Sequence, residues 1–317
     1  MSGQAIGIDI GGTKIAAGLV DLASGRVDIA RRVPTPVDGG GEAVLETCVE
    51  LVNALDGAAE LNVGIAVPEL VSREGQVQSA YQFDWREIDP RSTFAGRDIT
   101  IASDVRAAAR AEAVFGAGAG ACSMFYVSVG TGISSTFVLD GRPWPGARGH
   151  ALVLSSGDLA TIDSSTGSVM RSVLEEWAAG PALASRYEQA SGRTGVTTME
   201  VLEFASRGDP VAAPLVGQAA EALGSAIGQA ANILDPEMVV IGGGLGLAGG
   251  AWWDRIVASA RRSIWSDQTR ELPIVTAHLE TDAGMVGAAL ETRSAIAGLA
   301  MHGMVDGDRR RNQEGSV

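Results

Sequence analysis

Hydrophobic positions along the chain alternate between short apolar runs and helical repeats. The helical repeats predict helices at about 40–56, 104–116, 168–190, 209–234, 250–264 and 283–299. Apolar runs bounded by Gly, Pro or Asp predict strands at "AIGIDI", "KIAAGLVD", "RVDIARRVP", "NVGIAVP", "ITIASD", "CSMFYVSVG", "SSTFVLDG", "EMVVIGGG" and "PIVTAHLE". A strand meander followed by alternating strands and helices predicts an α/β fold with mixed sheets.

One pattern of strand, glycine turn and strand occurs twice. "GIDIGGTKIAAGLVD" spans residues 7–21, and "MFYVSVGTGISSTFVLD" begins at residue 124. The repeat predicts an internal duplication, with domains at 1–118 and 119–290 and a hinge at "GAGAGA" near residue 118. The polar end of the chain, residues 303–317, is expected to be a flexible tail.

Composition narrows the functional classes. The 317 residues are 46% hydrophobic and 20% charged, as in soluble globular proteins, and the formal net charge is −14. Such negative charge opposes nucleic-acid binding, which needs clustered Lys and Arg. No apolar stretch has the length of a membrane span, and the first residues lack a signal core, so a cytoplasmic protein is expected. Cys48 and Cys122 stand far apart in apolar contexts and are predicted to be buried thiols.

Three glycine-rich turns follow predicted strands and suit phosphate binding. Such turns expose backbone N–H groups that bind anions, to which a hydroxyl and a lysine add donors. A plain hairpin would explain the first turn taken alone, but three such turns are hard to explain by packing. Asp9 precedes the first turn and suits Mg²⁺, held through water. The candidate phosphate ligands are Gly11, Gly12, Thr13 and Lys14, then Gly130, Thr131 and Gly132, then Gly242, Gly243 and Gly244.

These motifs together resemble those of the ROK family of sugar kinases and repressors. "DIGGTK" and "VSVGTG" resemble its two phosphate motifs, "VVIGGGLG" its adenosine-side turn, and "DAGMVGAA" its closing segment. The likeness runs from residue 5 to about 295. It implies two ribonuclease-H-like domains of the actin and hexokinase superfamily, with a cleft between them that closes on ATP and a polyol. It also implies Mg²⁺, a homodimer, and a C-terminal helix, about 291–301, that joins the N-terminal domain.

Asp104 lies in "SDVRAAARAE", which resembles the family stretch that carries the general base. The resemblance implies that Asp104 takes a proton from the acceptor hydroxyl, as phosphoryl transfer requires. Its position between a predicted strand and a predicted helix also suits a helix N-cap. The two roles are compatible.

The zinc-binding loop of the family is not matched. Family kinases carry a His and three Cys that hold structural zinc, whereas an ungapped alignment puts Thr166, Ser168 and Val173 at the cysteine positions. Val153 and Ser156 stand where a Glu and the His are expected. Because such a site needs four ligands, no zinc is expected. His150 lies close by and is either a substrate contact or an ordinary loop histidine.

The sugar side departs from the family as well. Ser103 replaces an Asn, Glu69 a Gly, and Gln82 an Asn, whereas Glu175 matches the Glu that grips ring hydroxyls in the family. The resemblance implies that these four residues, with Asp104, are the candidate substrate ligands. A binding site whose polar groups find no matching hydroxyl on a polyol rejects that polyol strongly. We therefore expect a polyol other than glucose, such as a C7 cyclitol of the 2-epi-5-epi-valiolone type. A glucokinase or N-acetylhexosamine kinase that compensates elsewhere is the alternative.

Two non-enzymatic classes are less well supported. A ROK repressor would carry a helix-turn-helix before the first phosphate motif, which here begins six residues into the sequence. A non-catalytic sugar-binding protein has no need of both a metal carboxylate and a base. The joint presence of Asp9, Lys14, Thr131 and Asp104 therefore favours a kinase.

Overall fold

The computed structural model describes residues 3–293 except 56, 58, 59, 95, 152 and 163–168. Its contacts divide the chain into two compact units. Unit 1 takes its residues from Met1–Ala111 and Asp282–Val317, and unit 2 is Glu112–Thr281. The predicted tail at 303–317 lies outside the described residues.

Unit 1 is built on a five-stranded sheet in the order β3-β2-β1-β4-β5. The first three strands pair antiparallel, and β1, β4 and β5 pair parallel. The strands are β1 (Gln4–Ile10), β2 (Lys14–Asp21), β3 (Val27–Pro34), β4 (Val63–Val67) and β5 (Ile99–Ser103). The helices that begin in this unit are α1 (Gly40–Asn53), α2 (Asp104–Phe115) and a C-terminal helix, α9, described over 283–293.

Unit 2 contains a second five-stranded sheet, in the order β12-β11-β6-β7-β8, and a separate β9–β10 pair. The strands are β6 (Ser123–Val129), β7 (Ile133–Leu139), β8 (Arg142–Pro143), β9 (Asp158–Ile162), β10 (Val169–Val173), β11 (Met238–Gly242) and β12 (Ile274–Thr276). The helices are α3 (Leu174–Ala178), α4 (Gly180–Ser191), α5 (Thr198–Ser206), α6 (Ala212–Leu234), α7 (Gly250–Ser263) and α8 (Asp267–Arg270).

The two large sheets have the same topology. In each, an antiparallel meander comes first and two later strands add in parallel beside its first strand. β6, β7 and β8 therefore correspond to β1, β2 and β3, and β11 and β12 correspond to β4 and β5. This agreement supports the predicted internal duplication and confirms the α/β class.

Close backbone contact fixes α9 on the sheet of unit 1. A methyl group at Gly7 of β1 would overlap the Met285 carbonyl, and one at Gly64 of β4 would overlap the Ala288 carbonyl. The same helix packs on α2, where a methyl group at Gly287 would overlap the backbone of Ala107. Only glycine allows backbones to approach this closely. The sequence from 283 to 293 therefore completes the core of unit 1.

Several sequence predictions need correction. Cys48 is buried, as predicted, but Cys122 is exposed because it lies between the glycine-rich segment and β6. The helix predicted over 168–190 is wrong at its start, where the described residues form β10 and the short α3 before α4. Helix α5 was not predicted, although its capping box of Thr197 and Glu200 is a sequence signal. Within the described residues, no helix is long and apolar enough to cross a membrane.

The contact between Gly64 and α9 can be tested by substitution. We expect Gly64→Ala to lower the free energy of unfolding by about 2–3 kcal/mol, because the new methyl group has no space beside the Ala288 carbonyl. Gly3→Ala is the matched control, since a methyl group there meets no atom within 4 Å. Urea unfolding measures both variants. Equal effects of the two substitutions would contradict this packing.

Candidate active site

Three carboxylates lie at one edge of the sheet of unit 1. β1, β4 and β5 are parallel, so their carboxyl ends meet at the same edge. Asp9 is the second-last residue of β1, Glu69 lies two residues after β4, and Asp104 directly follows β5. The topology therefore brings together the predicted base, the predicted metal ligand and one predicted substrate ligand.

Asp104 is the first residue of α2, and it is half-buried. Oδ1 accepts a hydrogen bond from the Val105 N–H at 2.6 Å. Desolvation, and after it the charges of Asp9 and Glu69, raise the pKa of Asp104 from 3.8 to about 7, against the hydrogen bond from the Val105 N–H. A carboxyl group with a pKa near the working pH is a good general base.

Asp9 is a second half-buried carboxyl group, and its charge acts on Asp104. Burial raises its pKa to about 6, against the opposing charges of Lys14 and Arg32. Space for it depends on Gly284 of α9, where a methyl group would lie within 2.6 Å of Asp9 Oδ1. The motif "DAGMVGAA" contains Gly284, but no local sequence signal indicates its contact with Asp9.

The first glycine turn is a tight loop between β1 and β2. The Gly11 N–H donates to the Lys14 carbonyl at 2.9 Å, and the Thr35 hydroxyl donates to the Gly11 carbonyl at 2.7 Å. Thr13 and Lys14 are exposed. The fold thus leaves both side chains accessible for a ligand.

The predicted substrate ligands of unit 1 differ in their surroundings. Gln82 is exposed and close to the first turn, because a methyl group at Gly12 would lie 3.0 Å from Gln82 Oε1. Ser103, at the end of β5, is 9% exposed. Glu69 is buried and accepts its hydrogen bonds from the segment 79–83.

The other two glycine turns lie against each other at the carboxyl ends of β6 and β11, which are parallel. The Val129 carbonyl accepts the N–H groups of Leu245 and Gly246, both at 3.0 Å. A methyl group at Gly244 would meet no atom within 4 Å, and one at Gly130 would meet only the Gly244 nitrogen, at 3.9 Å. Open space beside two backbone turns is a suitable cradle for phosphate oxygens.

Glu175 supports the turn at Gly130–Gly132. Its Oε2 accepts the Ile133 N–H at 2.7 Å, and a methyl group at Gly132 would lie 2.7 Å from the same oxygen. The described contacts thus give Glu175 a backbone partner in the turn. His150 is exposed and lies beyond β8 in the chain.

A cavity of about 370 Å³ lies beside the start of α7, the helix that follows the third glycine turn in the chain. It is lined by α5, α6 and the residues around Gly249 and Gly250 at the start of α7. Trp252 lines the cavity, and its indole N–H donates to the Leu245 carbonyl at 3.0 Å, which ties the cavity wall to the turn. Part of the cavity wall is α5, a helix that the apolar pattern did not predict, so the cavity was not predicted either.

The donor set of unit 1 suits a hard cation bound together with phosphate. Among the described residues, no three His, Cys, Asp or Glu side chains form a cluster that could hold a metal. Mg²⁺ does not need one, because it takes one or two carboxylates, with phosphate oxygens and water as the other ligands. Asp9 and Asp104 bring two carboxylates to one edge of the sheet, which is the donor set that Mg²⁺ takes, so the residues present fit such a cation.

The desolvated Asp104 carboxyl group should lower the free energy of unfolding as the pH rises. Its folded pKa of about 7 lies above the unfolded value of 3.8, so the folded state holds a proton that the unfolded chain releases. Stability is therefore lost between about pH 4 and pH 7. We expect Asp104→Asn to stabilise the protein on the order of 1–2 kcal/mol more at pH 8.5 than at pH 5.5. Urea unfolding at the two pH values measures this difference.

The matched control is Asp38→Asn, which changes an exposed carboxyl group of the same unit. We expect its effect to be similar at both pH values, because that side chain lies in solvent. A gain for Asp104→Asn that did not change with pH would contradict the desolvation of Asp104.

Comparison with known proteins finds relatives that match nearly the whole chain. Residues 5–294 match the model of the ROK family. A glucokinase of Streptomyces coelicolor is 28% identical, with 90% of this chain and 96% of that protein covered. An N-acetylmannosamine kinase of Yersinia pseudotuberculosis is also 28% identical, with 93% of this chain and 100% of that protein covered.

A solved structure extends the comparison to the fold. The ROK family glucokinase from Streptomyces griseus, in complex with glucose and AMPPNP, superimposes with a TM-score of 0.77 at 28% identity. The match covers 90% of this chain and 98% of that one. The fold is therefore the ribonuclease-H-like fold of the actin and hexokinase superfamily. With a family match over nearly all its described length, the chain belongs to the ROK family.

Proposed function

We propose that this protein is an ATP-dependent kinase that transfers the γ-phosphoryl group to the primary hydroxyl of a sugar-like polyol. The observation that carries the proposal is the desolvated pair of Asp104 and Asp9, half-buried at the carboxyl ends of β5 and β1. A binding protein gains nothing from desolvating two carboxyl groups at a cost in stability, whereas a phosphotransferase uses both. The relatives named as glucokinase and N-acetylmannosamine kinase support the same reaction class.

Asp104 is proposed as the general base. Its carboxylate accepts the proton of the acceptor hydroxyl as that oxygen forms a bond to the γ-phosphorus and the bond from that phosphorus to the bridging oxygen of ADP breaks. A pKa near 7 keeps a large fraction of the carboxylate ionised at neutral pH and still basic enough to take the proton. The hydrogen bond from the Val105 N–H holds the carboxyl group in one orientation.

The glycine turns are proposed to hold the nucleotide. In the turns Gly130–Gly132 and Gly242–Gly244, Gly130 and Gly244 border open space where phosphate oxygens fit, whereas Gly132, Gly242 and Gly243 are packed against other atoms. The cavity beside α7 has a volume suited to a purine base. Thr13 and Lys14 add an accessible hydroxyl and a positive charge. When bound, Mg²⁺ neutralises charge on the phosphates, and Asp9 is proposed to hold it, through water.

The acceptor is proposed to be a C7 cyclitol of the 2-epi-5-epi-valiolone type, with glucose or an N-acetylhexosamine as the second candidate. Ser103, Glu69 and Gln82 replace the residues that the family uses toward sugars, which favours the cyclitol. The names of the relatives favour a hexose. Substrate contacts by His150 and Glu175, a homodimer and a cytoplasmic location remain predictions from the resemblance and the sequence.

Removal of Asp104 tests the base role. We expect Asp104→Ala to lower kcat by roughly 10²–10⁴-fold, because the acceptor proton loses its base. ATP affinity should stay within about threefold if the nucleotide is held by the glycine turns. Coupled measurement of ADP release and calorimetric titration with ATP give the two values, with Asp38→Asn as control. A nearly unchanged kcat would remove Asp104 from the mechanism.

An acceptor panel tests the substrate assignment. Purified protein with ATP and Mg²⁺ is assayed with 2-epi-5-epi-valiolone, glucose and N-acetylmannosamine, and phosphorylated products are identified by mass spectrometry. We expect the highest kcat/KM with the cyclitol, because the hexose partners are replaced. Robust turnover of glucose would refute the cyclitol assignment and leave the kinase assignment intact.

A further inference from the structure

Glu69 differs from the other two carboxylates of unit 1 because its oxygens are fully engaged inside the protein. The residue is 3% exposed. A carboxylate has about four acceptor positions, and four donors from one segment reach it. The donors are the Ser79 hydroxyl at 2.5 Å and the Tyr81 N–H at 2.8 Å on Oε2, and the Gln82 N–H at 2.6 Å and the Phe83 N–H at 3.2 Å on Oε1.

A short hairpin brings these donors back to Glu69. The Ser72 N–H donates to the Gln76 carbonyl at 2.8 Å, and the Gln78 N–H donates to the Leu70 carbonyl at 2.8 Å. This hairpin returns the chain to the end of β4. Three successive amides, at 81–83, then point at one carboxylate, a strong charge-assisted arrangement in a buried place.

The direction of the Gln82 side chain follows from this arrangement. Its neighbour Phe83 is buried and packs on Trp85, with ring centroids 4.8 Å apart, so the segment is anchored on one side by the core. Glu69 fixes the backbone of the segment on the other side. Gln82 itself is exposed, and its Oε1 lies beside Gly12 of the first glycine turn.

We propose that Glu69 is a positioning residue that holds the segment 79–83 and thereby sets Gln82 for contact with the acceptor. The inference rests on the proposed kinase function for the acceptor contact of Gln82. It reassigns Glu69, which the sequence analysis expected to contact the substrate itself. A substrate hydroxyl could bind Glu69 only by displacing a buried hydrogen bond, so Glu69 determines specificity through Gln82.

Amide hydrogen exchange tests whether Glu69 holds the segment 79–83, without any assumption about the reaction. In Glu69→Gln, the new side-chain NH₂ group faces backbone N–H donors and cannot accept hydrogen bonds from them. We therefore expect hydrogen exchange at the amides of 81–83 to become at least about tenfold faster. Glu74→Gln is the matched control, because Glu74 is an exposed carboxylate of the same hairpin. Unchanged protection at 81–83 in Glu69→Gln would overturn the proposal.

A double-mutant cycle tests the consequence for the acceptor. We expect Glu69→Gln and Gln82→Ala each to raise the KM for the acceptor about tenfold, with the KM for ATP within about twofold of wild type. The double variant should be no worse than Gln82→Ala alone, because Glu69 acts through Gln82. Independent, multiplying effects, or an equal rise in the KM for ATP, would overturn the proposal.

A milder variant covers the case in which Glu69→Gln does not fold. Ser79→Ala removes one of the four donors to Glu69. We expect faster amide exchange at 81–83 and a higher KM for the acceptor, both by smaller factors than in Glu69→Gln. Different results would refute the proposed kinase function and the positioning role of Glu69. If the protein phosphorylates none of the polyols, the kinase function is refuted. Unprotected amides at 81–83 in the wild type would refute the role of Glu69 alone.

Discussion

The partial burial of two carboxyl groups, near the carboxyl ends of β1 and β5, is the interaction on which the account of this protein depends. Asp9 and Asp104 both lose hydration, and the charge of Asp9 adds to the shift of Asp104, so their pKa values rise to about 6 and about 7. The rest of unit 1 maintains this unfavourable pair. The parallel pairing of β1, β4 and β5 fixes the strand ends, and the backbone contacts of α9 leave room for Asp9 only because residue 284 is Gly.

The duplicated topology has diverged in charge between its two copies. β1 carries Asp9 as its second-last residue, whereas the corresponding position of β6 is Ser128. Unit 1 thus places carboxylates at its strand ends, and unit 2 places backbone turns with open space beside them. Phosphoryl transfer needs both kinds of surface, since carboxylates handle the proton and a cation while backbone N–H groups hold phosphate oxygens. One fold has supplied both through changes at a few positions.

The sequence was most informative where the pattern is local. Apolar runs and glycine turns located the strands, and "SDVRAAARAE" located the start of α2 at Asp104, because a strand end and a helix N-terminus both leave signals within a few residues. The break between α3 and α4 at Gly180 and Pro181 was missed, because apolar periodicity continues across it. The partners of Glu69 lie 10 to 14 residues away and are brought to it by a hairpin, so no local pattern reports them.

The central claim is that the Asp104 carboxyl is desolvated enough to act as a base near neutral pH. The most direct measurement is a carbon-13 NMR titration of aspartate carboxyl groups without nucleotide or metal, with Asp104→Asn used to assign the signal. The account predicts one carboxyl that titrates near pH 7 and is missing from the variant. If the signal assigned to Asp104 titrated near pH 4, like an exposed aspartate, the account would be contradicted.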